Sequence, residues 1–185
     1  EDVRQMLLNR APKYGNDDDY ADAVAKEAAR IYCEEVNRYT NPRGGRFQPG
    51  LYPASANVPL GSVVAATPDG RKAWSPLADG VSPISGCDTC GPTASVLSVA
   101  KLDHEIASNG TLLNQKFHPT ALEGDQGLNN LKAVTETYFQ NGGFHVQYNV
   151  ISRETLLDAQ AQPEAYKNLV VRVAGYSAFF TALDK

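Results

Sequence analysis

No apolar stretch in the chain approaches the roughly 20 residues needed to cross a bilayer, and Glu1-Asp2-Val3-Arg4 does not open a signal peptide. Cysteine is scarce. The three present, Cys33, Cys87 and Cys90, are too few and too odd in number for a secreted disulfide framework. Positive charge is not in excess either: the formal net charge is -4 and the pI is near 5.4, with acidic and basic residues mixed along the chain. That mixture leaves no basic stripe for a nucleic acid. Internal repeats and low-complexity segments are also missing. The expectation that remains is a soluble, intracellular protein with a solvated surface, and its 185 residues fit a single domain. A chain of that size buries about 70% of its unfolded surface if it folds alone.

Apolar spacing predicts a helix over Asp2 to Asn9 through Val3, Met6 and Leu7, closed by Ala11-Pro12. After a turn at Gly15-Asn16, Asp17-Asp18-Asp19 offers capping carboxylates to a longer helix from Tyr20 to Tyr39. Its expected inner face is Ala21, Val24, Ala28, Ile31 and Val36. The three aspartates lack the alternating ligands, central glycine and distant glutamate of a calcium loop, so capping is their expected role. Glycine and proline dominate from Asn41 to Pro92, with a strand expected around Phe47 to Val58 and ordered loops after it. A helix from Pro92 to Ser108, a strand from Leu112 to Phe117 and a helix from Leu128 to Phe139 follow. The strand Phe144 to Ile151, a helix from Arg153 to Gln160 and the strand Leu169 to Val173 complete the pattern. Such alternation predicts parallel α/β architecture without distinguishing a barrel from an open sheet.

The most informative run is Val171-Arg172-Val173-Ala174-Gly175-Tyr176-Ser177-Ala178-Phe179-Phe180. By itself, Gly175 after the apolar Leu169-Val170-Val171 could simply end a buried strand. The whole run, however, resembles the signature of the glycyl radical enzymes, in which one glycine stores an unpaired electron. Chemistry suits glycine to that task. An alpha carbon between an amide nitrogen and a carbonyl delocalises the electron both ways if it can flatten, and no side chain hinders this. The segments Thr67-Pro68-Asp69-Gly70-Arg71, Pro76-Leu77-Ala78-Asp79-Gly80 and Gly91-Pro92-Thr93-Ala94 also resemble that family. So do Leu112-Leu113-Asn114-Gln115-Lys116-Phe117 and His145-Val146-Gln147-Tyr148-Asn149.

The resemblance implies an α/β fold that is the C-terminal part of a ten-stranded α/β barrel. Residues 1–40 would form a helical segment, 41–150 barrel strands, helices and loops, and 151–185 the glycyl radical region. The start at Glu1 and the end at Lys185, soon after the motif, are read as the two ends of a fragment. The resemblance further implies a radical on Gly175 as the only cofactor of this chain, with no metal bound. The partners it implies are a radical S-adenosylmethionine activating enzyme with an iron-sulfur cluster, the upstream remainder of the barrel, a small-molecule substrate and a second copy in a homodimer. Nucleic acid and membrane are not among them. The implied location is the cytoplasm, bacterial microcompartments included.

In that family the glycine radical takes hydrogen from a cysteine on a separate loop, within a Cys-x-Glu motif in the diol-dehydratase-like branch. Cys33-Glu34-Glu35 spells the motif but falls in the predicted long helix, so the thiyl cysteine is expected outside this chain. Cys87-Asp88-Thr89-Cys90 is a lone Cys-x-x-Cys pair, and His104, His118 and His145 supply no familiar zinc spacing, so incidental thiols are expected. Pro49-Gly50-Leu51-Tyr52 resembles the segment that places an aromatic residue, here Tyr52, in the substrate pocket. On an extended strand Gln48 would share that face. Related sulfonate-cleaving enzymes carry an arginine near this position, and the neutral Gln48 favours small polar alcohols, amino alcohols or cyclic amines. His145, Gln147 and Asn149 give the strand Phe144 to Ile151 a polar face, expected to hold the radical loop by hydrogen bonds. Arg172 is a charge inside an apolar strand and needs a partner, or exposure to the activating enzyme.

Three functions compete. The first is the radical-bearing part of an anaerobic lyase or dehydratase that cleaves a C–O or C–N bond beside a hydroxyl-bearing carbon. The second is a stand-alone accessory protein that restores an oxygen-damaged enzyme. The third is a non-catalytic α/β module that keeps the motif as scaffold.

Overall fold

A computed structural model describes residues 1–67 and 69–183; Pro68 of the Thr67–Arg71 segment, Asp184 and Lys185 lie outside the described residues. Helix α1 spans Asp2–Arg10 and α2 spans Asp19–Asn37, within two residues of expectation. Asp18 is the N-cap of α2, its Oδ1 accepting from the N–H groups of Tyr20 and Ala21 at 3.1 and 3.0 Å. The flanking carboxylates do something else. Asp17, Asp19 and the fully buried Asp22 all converge on Lys101 Nζ, at 2.7, 2.8 and 2.8 Å. Burial opposes the charge on Lys101, but its bonds to the three aspartates outweigh it and raise its pKa.

That ion cluster turns α2 away from its expected face. Asp22 and Cys33 are buried and Ala25 and Ala29 pack on the core, while Val24 and Ile31 are 58% and 56% exposed.

The expected strand from Phe47 to Val58 contracts to β1, Gly50–Leu51, followed by the short helix α3, Asn57–Gly61. Pro49, Pro53 and Pro59 have no N–H to give a ladder, so pairing cannot extend. Helix α4, Pro92–Ala100, stops eight residues before the expected Ser108. Past its end His104 folds back and takes the carbonyl of Val99 at 2.9 Å, while Asp103 accepts from the N–H groups of Glu105 and Ile106.

The rest follows as β2 (Gly110–Thr111), β3 (Leu113–Phe117), α5 (Gly124–Gln140), β4 (Val146–Val150) and α6 (Arg153–Ala161). Two strands close the chain, β5 (Val170–Arg172) and β6 (Ser177–Phe179), of which β6 was not expected. Pairing is parallel for β1 with β2 and for β3 with β4, and antiparallel for β5 with β6. The described residues therefore form a mixed α/β structure of three two-stranded sheets, and no closed barrel lies within them.

The unit β3–α5–β4 organises the centre. One face of the strand pair, including Leu113 and Val146, packs with Val96, Val99, Val134 and Tyr138 of α4 and α5. Tyr148 on the same face bonds Thr135 of α5 through their hydroxyls at 2.8 Å. Because strand side chains alternate, the opposite face carries Asn114 and Lys116 against Gln147 and Asn149, paired in register.

The long loops are tied by side chains that grip main-chain atoms. Arg71 donates to the carbonyls of Ser75, Ala65 and Val64, and Asn16 holds the Cys87–Cys90 turn through the carbonyl of Cys87 and the N–H groups of Thr89 and Cys90. Gly80 passes so near β3 that a Cβ there would sit 2.3 Å from the Leu112 oxygen. This close approach sets Asp79 beside Asn114. No helix among the described residues is long and apolar enough to cross a membrane.

Candidate functional site

Gly175 sits at the tip of the β5–β6 hairpin, in the connection Val173-Ala174-Gly175-Tyr176. The connection is closed by Val173 N–H donating to the Tyr176 oxygen at 2.9 Å. Gly175 has φ +75, a left-handed conformation that disfavours any L side chain, and within this chain no atom beyond the adjoining residues lies within 4 Å of where a Cβ would stand. Ala174 is buried, whereas Gly175 and Tyr176 are exposed in this chain.

No backbone ladder joins this hairpin to β4. Side-chain amides do so instead. Asn149 forms a two-point bond with the main chain of Arg172, donating from Nδ2 to its oxygen at 2.7 Å and accepting its N–H at 2.8 Å. Gln147, 7% exposed, donates from Nε2 to the Val173 oxygen at 2.8 Å and accepts the Gly175 N–H on Oε1 at 3.2 Å. Its Oε1 also accepts from Arg172 Nε at 3.0 Å, and Arg172 Nη1 reaches Ser177 Oγ at 3.3 Å. The charge of Arg172 thus finds polar partners rather than a carboxylate. Asn114 completes the clasp, bonded to Gln147 Nε2 through Oδ1 and donating from Nδ2 to the Val173 oxygen at 3.1 Å and to Asp79.

Two of the three expected clasp residues, Gln147 and Asn149, hold the loop. His145 makes no hydrogen bond to it: its buried Nδ1 has no partner among the described residues, and burial followed by the charge of Arg172 lowers its pKa. Asn114 and Asp79 were not expected here. Both belong to segments noted in the sequence, but it takes the β3–β4 register, with Asn114 opposite Gln147, and the close approach at Gly80, with Asp79 bonded to Asn114, to bring them to the loop.

The segments that build the clasp have counterparts in known proteins. The family description "Glycine radical" matches residues 77–181, and "Pyruvate formate lyase-like" matches residues 1–61. The chain belongs to the glycyl radical enzymes. It is 52% identical over 191 residues to the Escherichia coli (strain K12) protein named "Probable dehydratase YbiW", covering 100% of this chain and 24% of that protein. To the trans-4-hydroxy-L-proline dehydratase of Clostridioides difficile it is 42% identical over 185 residues, covering 100% of this chain and 23% of the relative. The glycerol-bound B12-independent glycerol dehydratase of Clostridium butyricum superposes with a TM-score of 0.96 at 63% identity, over 99% of this chain and 23% of that one. The chain therefore spans about a quarter of the length of these relatives, and it corresponds to the C-terminal portion of glycyl radical enzymes of the dehydratase and lyase kind.

The remaining expected residues lie apart from the clasp. Tyr52 lies over Gly50, where a Cβ would be 2.7 Å from its ring, and lines a hollow of about 520 Å³ with Tyr14, Tyr32, Leu51, Val81 and Leu102. Gln48 is exposed and precedes β1, so no strand face joins it to Tyr52. Among the described residues no hydrogen bond links either of them to the Gly175 loop.

Cys33 is fully buried in α2, and burial, then the nearby charge of Asp103, pushes its thiol pKa up. Cys87 and Cys90 are free thiols. No group of three metal-ligating side chains occurs among the described residues.

Proposed function

We propose that this glycyl radical chain stores an unpaired electron on Gly175 and forms the C-terminal part of a ten-stranded α/β barrel whose catalytic cysteine lies outside it. The observation that carries the reading is the Gly175 tip itself: a glycine at φ +75, with open space within this chain where a Cβ would stand and its N–H fixed by Gln147. A radical S-adenosylmethionine activating enzyme would remove one alpha hydrogen, leaving the electron on the Gly175 carbon. That carbon then takes a hydrogen atom from the cysteine thiol, and the sulfur radical abstracts hydrogen from substrate. The names of the relatives support a dehydratase or lyase; the bond broken is a C–O or C–N bond of a small polar alcohol, amino alcohol or cyclic amine. Tyr52 and the neutral Gln48, though not on one strand face, are assigned to the substrate wall. The full enzyme works as a homodimer in the cytoplasm. A free-standing radical donor would have no need of α1 and α2, which fall within the match over residues 1–61.

Anaerobic activation of the full-length protein should give an electron paramagnetic resonance doublet that Gly175→Ala abolishes. Within this chain the added methyl meets no atom beyond the adjoining residues and costs about 1 kcal/mol of left-handed strain, and circular dichroism of the variant serves as the folding control. A doublet that persists in Gly175→Ala would overturn the assignment. Brief exposure of the activated protein to air should cleave the backbone at Gly175, which mass spectrometry would detect.

A further inference from the structure

We propose that Asp79 anchors a hydrogen-bond relay, Asp79 to Asn114 to Gln147, which presents an acceptor oxygen to the Gly175 N–H; Asp79 and Gln147 are then positioning residues of the radical site. Their importance to catalysis rests on the radical reading of Gly175, but the relay itself does not.

The argument starts from what each group can do. An ionised carboxylate only accepts hydrogen bonds, whereas a carboxamide has one accepting and one donating end and could in principle sit either way round. Asp79 Oδ2 bonds Asn114, which obliges Asn114 to point its Nδ2 at the carboxylate. The Val173 oxygen, which only accepts, takes N–H from both Asn114 Nδ2 and Gln147 Nε2 and enforces the same direction, so Asn114 Oδ1 faces Gln147 and accepts from Nε2. Gln147 in turn has only Oε1 left for the loop, and there it receives Gly175 N–H at 3.2 Å and Arg172 Nε at 3.0 Å. Every bond of the set has the right polarity. Turning Gln147 over would set its NH₂ against two donors, Gly175 N–H and Arg172 Nε, and its oxygen against the Val173 oxygen.

The terminal carboxylate is itself held by the fold. Gly80 lets the turn approach the Leu112 oxygen, Val81 N–H donates to that oxygen at 3.0 Å, and Asn114 N–H donates to Ser82 Oγ at 3.0 Å. Asp79 Oδ1 is buried without a partner among the described residues, so desolvation opposes the charged form and raises the carboxyl pKa, Asn114 acting the other way. A residue needed only to fill this turn would not leave a carboxylate oxygen buried and unpaired. Anchoring the two amides gives that charge a use.

The test breaks the relay link by link, reading hydrogen exchange of the main-chain amides of residues 172–176 in the unactivated full-length protein. Gln147→Glu keeps an acceptor for Gly175 but loses the donor to Asn114 and Val173, and should speed exchange tenfold or more. Asp79→Asn should change little, since its amide oxygen still accepts from Asn114. Asp79→Ala, which takes that acceptor from Asn114 Nδ2, should speed exchange at least threefold. In a Gln147→Met background, where Asn114 has no amide to pass the change to, Asp79→Ala should add nothing. Exchange in α5 is the folding control; if Asp79→Ala does not fold, Asn114→Asp, which keeps the shape but loses the donor to Asp79, should speed exchange likewise. An Asp79→Ala protein that exchanges like the parent, or whose acceleration persists in full in the Gln147→Met background, would overturn the relay. A protein that follows this pattern yet forms no radical would keep the relay and overturn only the radical reading.

Discussion

Replacing Asn149 by alanine removes the one side chain that bonds both main-chain groups of Arg172. Two hydrogen bonds are lost, at 2.7 and 2.8 Å, each contributing about 1 kcal/mol net because water can take the place of the lost partner. Arg172 is only partly buried, so water reaches its main chain and no extra desolvation cost is added. The free energy of lifting the hairpin off β4 should therefore fall by about 2 kcal/mol, which is an increase of about 30-fold in the lifted population. Hydrogen exchange of peptides covering β5 and β6 reads that population directly when closing is fast. Exchange across 170–179 should accelerate about 30-fold in Asn149→Ala. It should not change in α5 or β3, whose hydrogen bonds do not involve the Asn149 side chain. Equal exchange in variant and parent would refute the idea that the amide clasp holds the loop. Acceleration spread evenly over the chain would refute it too, because the loss would then be one of global stability.

Lys101→Met should strand the fully buried carboxylate of Asp22, whose Oδ1 already lacks a partner, and cost about 3 kcal/mol, visible as a lower urea midpoint. An unchanged midpoint would mean that the cluster contributes nothing. His104 is buried with Nε2–H donating to the Val99 carbonyl and Nδ1 accepting from Thr111 Oγ1, so the neutral form is the bonded one and burial lowers its pKa. The unfolded chain then binds the proton more readily: the contribution is fully present above about pH 6.5 and is lost as pH falls from there through the lower folded pKa. Melting temperature should decline over that interval more in the parent than in His104→Gln, and parallel declines would count against it.

Much of the helical content was legible because periodicity over many residues averages out local exceptions. Helix α5, for instance, is expected from Leu128 and observed from Gly124. The orientation of α2 was not legible. Its most apolar stripe, Val24 and Ile31, looks like a core face, yet Lys101 arrives from beyond α4, far along the chain, and draws Asp22 inward. The strand around Tyr52 failed for a local reason visible in hindsight, the prolines that leave β1 with two residues. At the site, the strand alternation already marked Gln147 and Asn149. Asn114 and Asp79 were invisible because their meeting depends on register and on the near contact at Gly80, neither of which a single sequence encodes as a period. The hairpin strand β6 is three residues long, too short to show any pattern.

The clasp grips the hairpin chiefly by main-chain atoms: the Arg172 N–H and oxygen, the Val173 oxygen and the Gly175 N–H. Recognition of that kind is blind to most side chains. Val173 and Tyr176 contribute none to it, so an excised peptide carrying this hairpin, or one with altered residues at those two positions, would meet the same set of donors and acceptors. The tip is thus built like a replaceable cartridge, defined by its backbone path and by the arginine that enters it, and the receptacle rather than the insert carries the specifying sequence.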